Sequence, residues 1–374
     1  MMGQSMRVLV VAGARPNFMK VAPILRALEA RGDEAVLVHT GQHYDASMSD
    51  AFFRDLELPE PDFHLEVGSG SHAQQTARVM ERFEPVLEEV RPEWLVVVGD
   101  VNSTLACALV AAKRKEELGC GIAHVEAGLR SRDWRMPEEV NRVLTDRVSD
   151  LLLTPSRDAH PNLRAEGIEE ERIRFVGNVM IDTVLHQLPR ARELDVPGRM
   201  GLERGGYALA TLHRPSNVDD PQALGAVLRA LAAVKMPVVL PLHPRTRNRA
   251  EAFGLGGQLG GLRVLEPLGY REMLSLTDGA AVVLTDSGGL QEETTALGVP
   301  CVTLREQTER PVTVSHGTNR LAPWPLTLDG VLASCAQALE RGRGAPSQPE
   351  GWDGAAGARV VDELAAYLNR GAEP

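Results

Sequence analysis

No apolar run in the chain approaches the roughly 20 residues that a membrane-spanning helix needs, so no membrane segment is expected. The opening run RVLVVAGA is too short for a signal-peptide core and leads into Arg15, Pro16 and Asn17 without a cleavage site, so it reads as a first buried strand. Cysteine is scarce. Cys107, Cys120, Cys301 and Cys335 show no CxxC spacing and mostly sit in apolar segments, which points to reduced core thiols in a cytoplasmic protein. No GxGxxG follows the first strand, so the fingerprint of a dinucleotide-dependent oxidoreductase is missing. Positive charge is in deficit as well, with a formal net charge of -11. That balance argues against a general nucleic-acid binder, and any anionic ligand must be met by local positive groups.

What is present is an alternation of short apolar runs with helical patterns over 374 residues, a length that suits two domains. Strands are expected at 8–12, 35–39, 94–98, 121–125, 151–154 and near 173–176, with helices at about 17–30, 71–90, 102–117 and after Pro137. Buried strands alternating with helices specify a parallel sheet with right-handed crossovers. The pattern lapses over 187–206, QLPRARELDVPGRMGLERGG, which reads as a linker between a first domain at 1–186 and a second at 207–356. In the second half, strands are expected at 207–212, 237–242, 262–266, 280–285 and 300–304, with helices at about 221–234, 270–277 and 288–297. GLGGQLGGL (254–262) reads as a flexible glycine-rich loop, and the amphipathic stretch at about 357–370 as a helix that returns to the first domain.

Chemistry concentrates in HVEAGLRSRDWRMPEEVNR, His124 to Arg142. Glu126 follows an apolar strand, at the end where open parallel sheets bind ligands. Glu138 and Arg142 lie four apart on the helix that Pro137 opens, a spacing that serves either chemistry or an ordinary helix ion pair. Asp100, in VVVGDVNST, ends another strand and is placed either for catalysis or to cap the helix near Asn102. His213 and His243 end successive strands of the second half, and neither belongs to an HxxxH or CxxC pattern of the kind that holds zinc. In LTDSGGLQEE, Ser287, Gly288 and Gly289 pass from a strand into a helix, where glycines let a phosphate approach the exposed N–H groups. Glu293, further along that helix, suits paired ribose hydroxyls, and Arg310 follows in QTERP, so the set reads as a nucleoside diphosphate site. Arg15 and Lys20, in GARPNFMK, could meet phosphate from the first domain.

Taken together, GARPNFMKVAPI, TGQHYD, HVEAGLRS, MPEEVNR, TLHRPSN, LTDSGGLQEE and TERP make the chain resemble the non-hydrolysing UDP-N-acetylglucosamine 2-epimerases over about residues 7–320. The resemblance implies an α/β fold of the GT-B type, two Rossmann-like parallel-sheet domains with a substrate cleft between them. It implies Asp100, Glu126, Glu138, Arg142 and His213 as catalytic positions. Arg15, Lys20, Ser287, Gly288, Gly289, Glu293 and Arg310 would be nucleotide-binding positions, joined by Leu268 and Met273 from EPLGYREML. Gln42, His43 and Arg214 would be candidates for an activator site. The implied reaction interconverts UDP-N-acetylglucosamine and UDP-N-acetylmannosamine without metal or redox cofactor, in a cytoplasmic homodimer that serves cell-surface polysaccharide biosynthesis. Alternatives are a hydrolysing 2-epimerase, whose glycine-rich HxHGG-type segment is here HVEAGL, a GT-B glycosyltransferase, and a non-catalytic UDP-sugar sensor.

Overall fold

The structure, a computed structural model, describes residues 5–41, 53–344 and 347–371. It divides the chain into two compact units, 1–183 with 350–374, and 184–349.

The first unit holds a seven-stranded sheet in the order β3-β2-β1-β4-β5-β6-β7. Its strands are β1 (Arg7–Ala12), β2 (Glu34–His39), β3 (Phe63–His64), β4 (Trp94–Val98), β5 (Gly121–Val125), β6 (Leu151–Thr154) and β7 (Ile173–Phe175). Every pairing is parallel. β4 is WLVVV and buried throughout, because helices cover both faces and leave no side for polar residues. Each fully buried Val or Leu contributes on the order of 1.5–3 kcal/mol. One helix, His72–Val90, begins at a capping box: Ser71 Oγ accepts from Gln74 N at 3.3 Å, and Gln74 Oε1 accepts from Ser71 N at 3.1 Å. The strand order reverses beside β1, and such switch points open a crevice at the carboxyl ends of the strands.

The helix Ala356–Gly371 belongs to this first unit. The backbone N–H groups of Gly357 and Ala356 donate to Asp182 at 2.7 and 3.2 Å, and the Trp94 indole donates to Leu364 O at 3.2 Å.

The second unit repeats the plan with six parallel strands in the order β10-β9-β8-β11-β12-β13. They are β8 (Ala208–Thr211), β9 (Val238–Pro241), β10 (Arg263–Leu265), β11 (Val282–Thr285), β12 (Cys301–Thr303) and β13 (Asn319–Leu321). Its core gathers Leu209's neighbours Ala208 and Ala210 with Val227, Leu231, Leu240, Leu284 and Val302.

Three features depart from the sequence reading. The boundary between units falls at 183/184, and residues 187–206 are folded as part of the second unit. They contain the end of the helix Val179–Leu194 and a short helix Val196–Arg199, and they are tied down because Arg192 and Arg204 both pair with buried Asp278. The glycine-rich 254–262 stretch forms a 3-10 helix at Gly256–Gly261 rather than an open loop. Short edge strands β3 and β13 and the helix Leu328–Arg341 complete the sheets and their cover.

The four cysteines are buried and none is in a disulfide. Burial pushes the thiols of Cys120 and Cys301 up to about 12 and that of Cys335 to about 11, so they stay protonated as core groups. Among the described residues, no helix is long and apolar enough to cross a membrane.

Candidate active site

In the first unit, the turns after β1, β4 and β5 bring together several groups at the carboxyl edge of the sheet. Asn17, in the first turn of the helix Arg15–Arg31, accepts from Gly13 N and Ala14 N at 3.0 Å each and donates to Val98 O at 3.1 Å, which ties the turn after β1 to the end of β4. One turn along, Lys20 reaches Glu126 and forms a buried ion pair with it. Glu126 has a φ of 72°, a left-handed conformation that costs a non-glycine residue about 1–2 kcal/mol. Its cause is visible in the backbone, since the N–H groups of Glu126 and Ala127 both donate to Leu153 O, at 3.0 and 3.2 Å. Gly99 closes the other side: with φ at 66°, a Cβ built there would lie 2.7 Å from Lys20 Nζ and 3.3 Å from Glu126 Oε2.

Asp100 follows Gly99 and is gripped by Arg142, whose Nε and Nη2 donate to Asp100 Oδ2 at 3.0 and 2.6 Å. The same guanidinium donates through Nη1 to Glu139 at 2.7 Å. Glu139 also accepts from Ser131 N, Ser131 Oγ and Arg132 N at 2.9, 3.0 and 2.7 Å. Burial raises the Glu139 carboxyl, but these N–H groups and Arg142 outweigh it and leave it below its ordinary range. Glu139 is therefore an ionised anchor that aims Arg142 at Asp100. Glu138, its neighbour on the helix Pro137–Val148, is half-buried. Arg15 is the first residue of its helix, and its side chain lies outside the described part.

Behind this edge runs a second buried network. His124 on β5 sits 2.6 Å from Asp146 Oδ1 through Nδ1 and 2.8 Å from Gly99 O through Nε2. Asp146 also holds Arg130 at 2.7 Å and Gly128 N at 3.1 Å. Burial opposes ionisation of Asp146, yet His124 and Arg130 hold it below the usual carboxylate range. The network fixes the carbonyl of Gly99 and the turn after Glu126. Asp146 carries no local signal of this role, since its partners come from other elements.

In the second unit, Ser287, Gly288 and Gly289 pass from β11 into the helix Gly288–Leu297, whose first N–H groups point out of the sheet edge. A Cβ on Gly288 would meet Arg310 Nη1 at 2.6 Å, so only glycine admits the guanidinium so close to the helix start. Arg310 is held at 3.0 Å from Glu292 and 2.5 Å from Glu309, and Glu309 also pairs with Arg305 at 2.8 Å. Glu293, the next residue of that helix after Glu292, is buried, and burial first and the charge of Glu292 second push its carboxyl up to about 8. His213 and Arg214 follow β8, and their backbone N–H groups donate to Asp286. His243 caps the helix Pro244–Ala252, accepting from Arg245 N at 3.2 Å. Leu268 and Met273 are half-buried at the start of the helix Tyr270–Gly279. Gln42 and His43 lie outside the described residues.

Two parallel sheets in the same order, each with charged or glycine-rich turns at its switch point, define an α/β enzyme of the GT-B class. At 13% identity a sucrose-phosphate synthase from Thermosynechococcus elongatus shares this fold, with a TM-score of 0.60 over 98% of each chain. The sequence model of the UDP-N-acetylglucosamine 2-epimerase family matches residues 26–365. A UDP-2,3-diacetamido-2,3-dideoxy-D-glucuronate 2-epimerase of Pseudomonas aeruginosa is 45% identical, over 84% of this chain and 88% of its own. The crystal structure of the Methanocaldococcus jannaschii UDP-GlcNAc 2-epimerase in complex with UDP-GlcNAc and UDP is similar with a TM-score of 0.88 at 39% identity, covering 96% of this chain and all of that one. The chain belongs to the UDP-N-acetylglucosamine 2-epimerase family.

Proposed function

We propose that the protein interconverts UDP-N-acetylglucosamine and UDP-N-acetylmannosamine by inverting carbon 2 of the sugar. The observation that carries the reading is a pair of acids at the ends of adjacent strands β4 and β5, Asp100 held by Arg142 and Glu126 held by Lys20. The carbon 2 proton has no carbonyl beside it, so direct removal would leave an unstabilised carbanion. Elimination avoids that: a carboxylate takes the proton, the C1–C2 double bond forms, and the C1–O bond breaks with its electron pair leaving on the diphosphate. UDP then adds back to the 2-acetamidoglucal after a proton returns to the opposite face. Asp100, Glu126 and Glu138 are the groups that move protons in this scheme, and Lys20 positions Glu126.

The departing diphosphate is met at Ser287, Gly288 and Gly289 by the N–H groups of the helix start, with Arg310 beneath them. Glu293, a neutral carboxyl at pH 7, can both donate to and accept from the ribose hydroxyls. Leu268 and Met273 flank the nucleotide in the same reading. His213 serves the leaving group. Homodimerisation, activation by UDP-N-acetylglucosamine through Gln42, His43 and Arg214, a cytoplasmic location and supply of a polysaccharide precursor complete the proposal.

The identity of 45% to a diacetamido-glucuronate 2-epimerase favours a second reading, in which the sugar is a UDP-linked diacetamido uronate inverted at the same carbon. Incubation of the purified protein with each UDP-sugar, followed by proton NMR, separates the readings. Formation of UDP-N-acetylmannosamine at the higher kcat/KM supports the first. Free N-acetylmannosamine with UDP, or inversion of the uronate alone, refutes it.

A further inference from the structure

Asp286 stands between β11 and the glycine-rich helix start. It is fully buried, at 0% exposure, and it faces His213, which follows the adjacent strand β8. The two strands run in register, Thr211 beside Thr285, with their hydroxyls 2.6 Å apart. Asp286 Oδ1 lies 2.8 Å from His213 Nδ1. Its carboxylate further accepts from His213 N at 3.0 and 3.1 Å, Arg214 N at 2.9 Å and Asn217 Nδ2 at 3.1 Å. Asn217 is itself fixed by donating to Leu304 O at 2.8 Å. These donors all come from residues 213–217, so the aspartate is a mould for the turn that presents the histidine.

Burial alone would favour the neutral acid of Asp286, but the hydrogen bond and charge of His213, together with the N–H groups of Arg214 and His213, hold the carboxyl below its usual range. An ionised carboxylate only accepts, so His213 Nδ1, the nitrogen that faces it, is the donor, and Nε2 is the ring nitrogen outside this contact. The His213 side chain is 42% exposed, which keeps it accessible to ligand.

We propose that Asp286 is a positioning residue for the reaction: it fixes the Nδ1–H form of His213 and its orientation, so that Nε2 serves the diphosphate oxygen. This inference rests on the 2-epimerase reading. When the C1–O bond breaks, the electron pair goes to that oxygen and the Nε2–H of the imidazolium donates to it. On re-addition the proton stays with, or returns to, Nε2 as the C1–O bond forms again. The buried carboxylate holds the ring in place, as an orienting carboxylate does for a catalytic histidine.

The test combines kinetics with a spectrum that needs no turnover. Asp286→Asn is expected to lower kcat by about 10- to 100-fold while KM for the UDP-sugar stays within about threefold. The double variant Asp286→Asn with His213→Gln is expected to be no slower than His213→Gln alone. Unchanged kcat in folded Asp286→Asn, or fully additive losses, would overturn the proposal. In the unaltered protein, 15N NMR of the histidine ring, assigned by the signal that His213→Gln removes, is expected to show a protonated Nδ1. A bare Nδ1 would overturn the proposal even if Asp286→Asn did not fold. If the protein inverted no UDP-sugar, the 2-epimerase reading would fall, while the spectrum would still judge the His213–Asp286 pair.

Discussion

Gly99→Ala separates what the acid edge of the first unit does for stability from what it does for chemistry. With φ at 66°, alanine there pays about 1–2 kcal/mol for a left-handed conformation. For a folding unit of roughly 200 residues that corresponds to a fall in Tm of about 2–8 °C. The new methyl group would sit 2.7 Å from Lys20 Nζ, inside contact distance, and 3.3 Å from Glu126 Oε2. The far end of a lysine moves cheaply, so the strain is relieved by displacing the ammonium from Glu126 rather than by breaking the sheet. A displacement approaching 1 Å at a reacting group lowers turnover by about 100-fold. The expected outcome is a modest loss in a thermal melt beside a loss of turnover of about 10- to 100-fold, read by NMR on UDP-N-acetylglucosamine. In a Lys20→Met background, adding Gly99→Ala should change turnover little further, since the displaced group is already gone. Normal turnover in folded Gly99→Ala would refute the reasoning, because the Lys20–Glu126 geometry would then be irrelevant to the reaction.

Glu126→Gln and Asp100→Asn are each expected to lower kcat by about 100-fold or more with folding intact, checked by circular dichroism and NMR rates. Glu293 gives a pH signature. The folded chain keeps its proton up to about pH 8 while the unfolded chain releases it near 4.5, so stability from this group is fully present below 4.5 and falls as pH rises towards 8. Thermal melts from pH 5 to 9 should therefore show a smaller decline in Glu293→Gln than in the parent, and parallel curves would contradict the assignment. If UDP-N-acetylglucosamine activates the protein, the reverse reaction from UDP-N-acetylmannosamine alone should start with a lag that a trace of UDP-N-acetylglucosamine abolishes. Equal initial rates would remove the activator site.

The sheets were legible because their strands are buried on both faces and so read as continuous apolar runs, as in WLVVV and LLLT. β3 and β13 were not, since two or three residues at a sheet edge carry no period of their own. The stretch 187–206 looked like a linker because its arginines, prolines and glycines suit a solvated segment. Its fold depends on Asp278, about 80 residues away, which collects Arg192, Arg204 and Arg343. At the site, strand ends and the glycine-rich helix start announced Asp100, Glu126 and Ser287. Glu139 has no sequence feature that sets it apart from other helix carboxylates, and only the turn at Ser131 and Arg132 reveals it as the anchor of Arg142. Lys20 read as a phosphate ligand, and its pairing with Glu126 depends on a contact across 106 residues.

The central claim is that carbon 2 exchanges its proton while UDP departs and returns. The measurement that tests it most directly is the reaction of UDP-N-acetylglucosamine with the purified protein in deuterium oxide, followed by proton NMR and mass spectrometry. Elimination and re-addition predict that the recovered UDP-sugars carry one deuterium at carbon 2, with 2-acetamidoglucal and UDP detectable as minor species. Epimerised product that retains the original proton at carbon 2 would contradict the account.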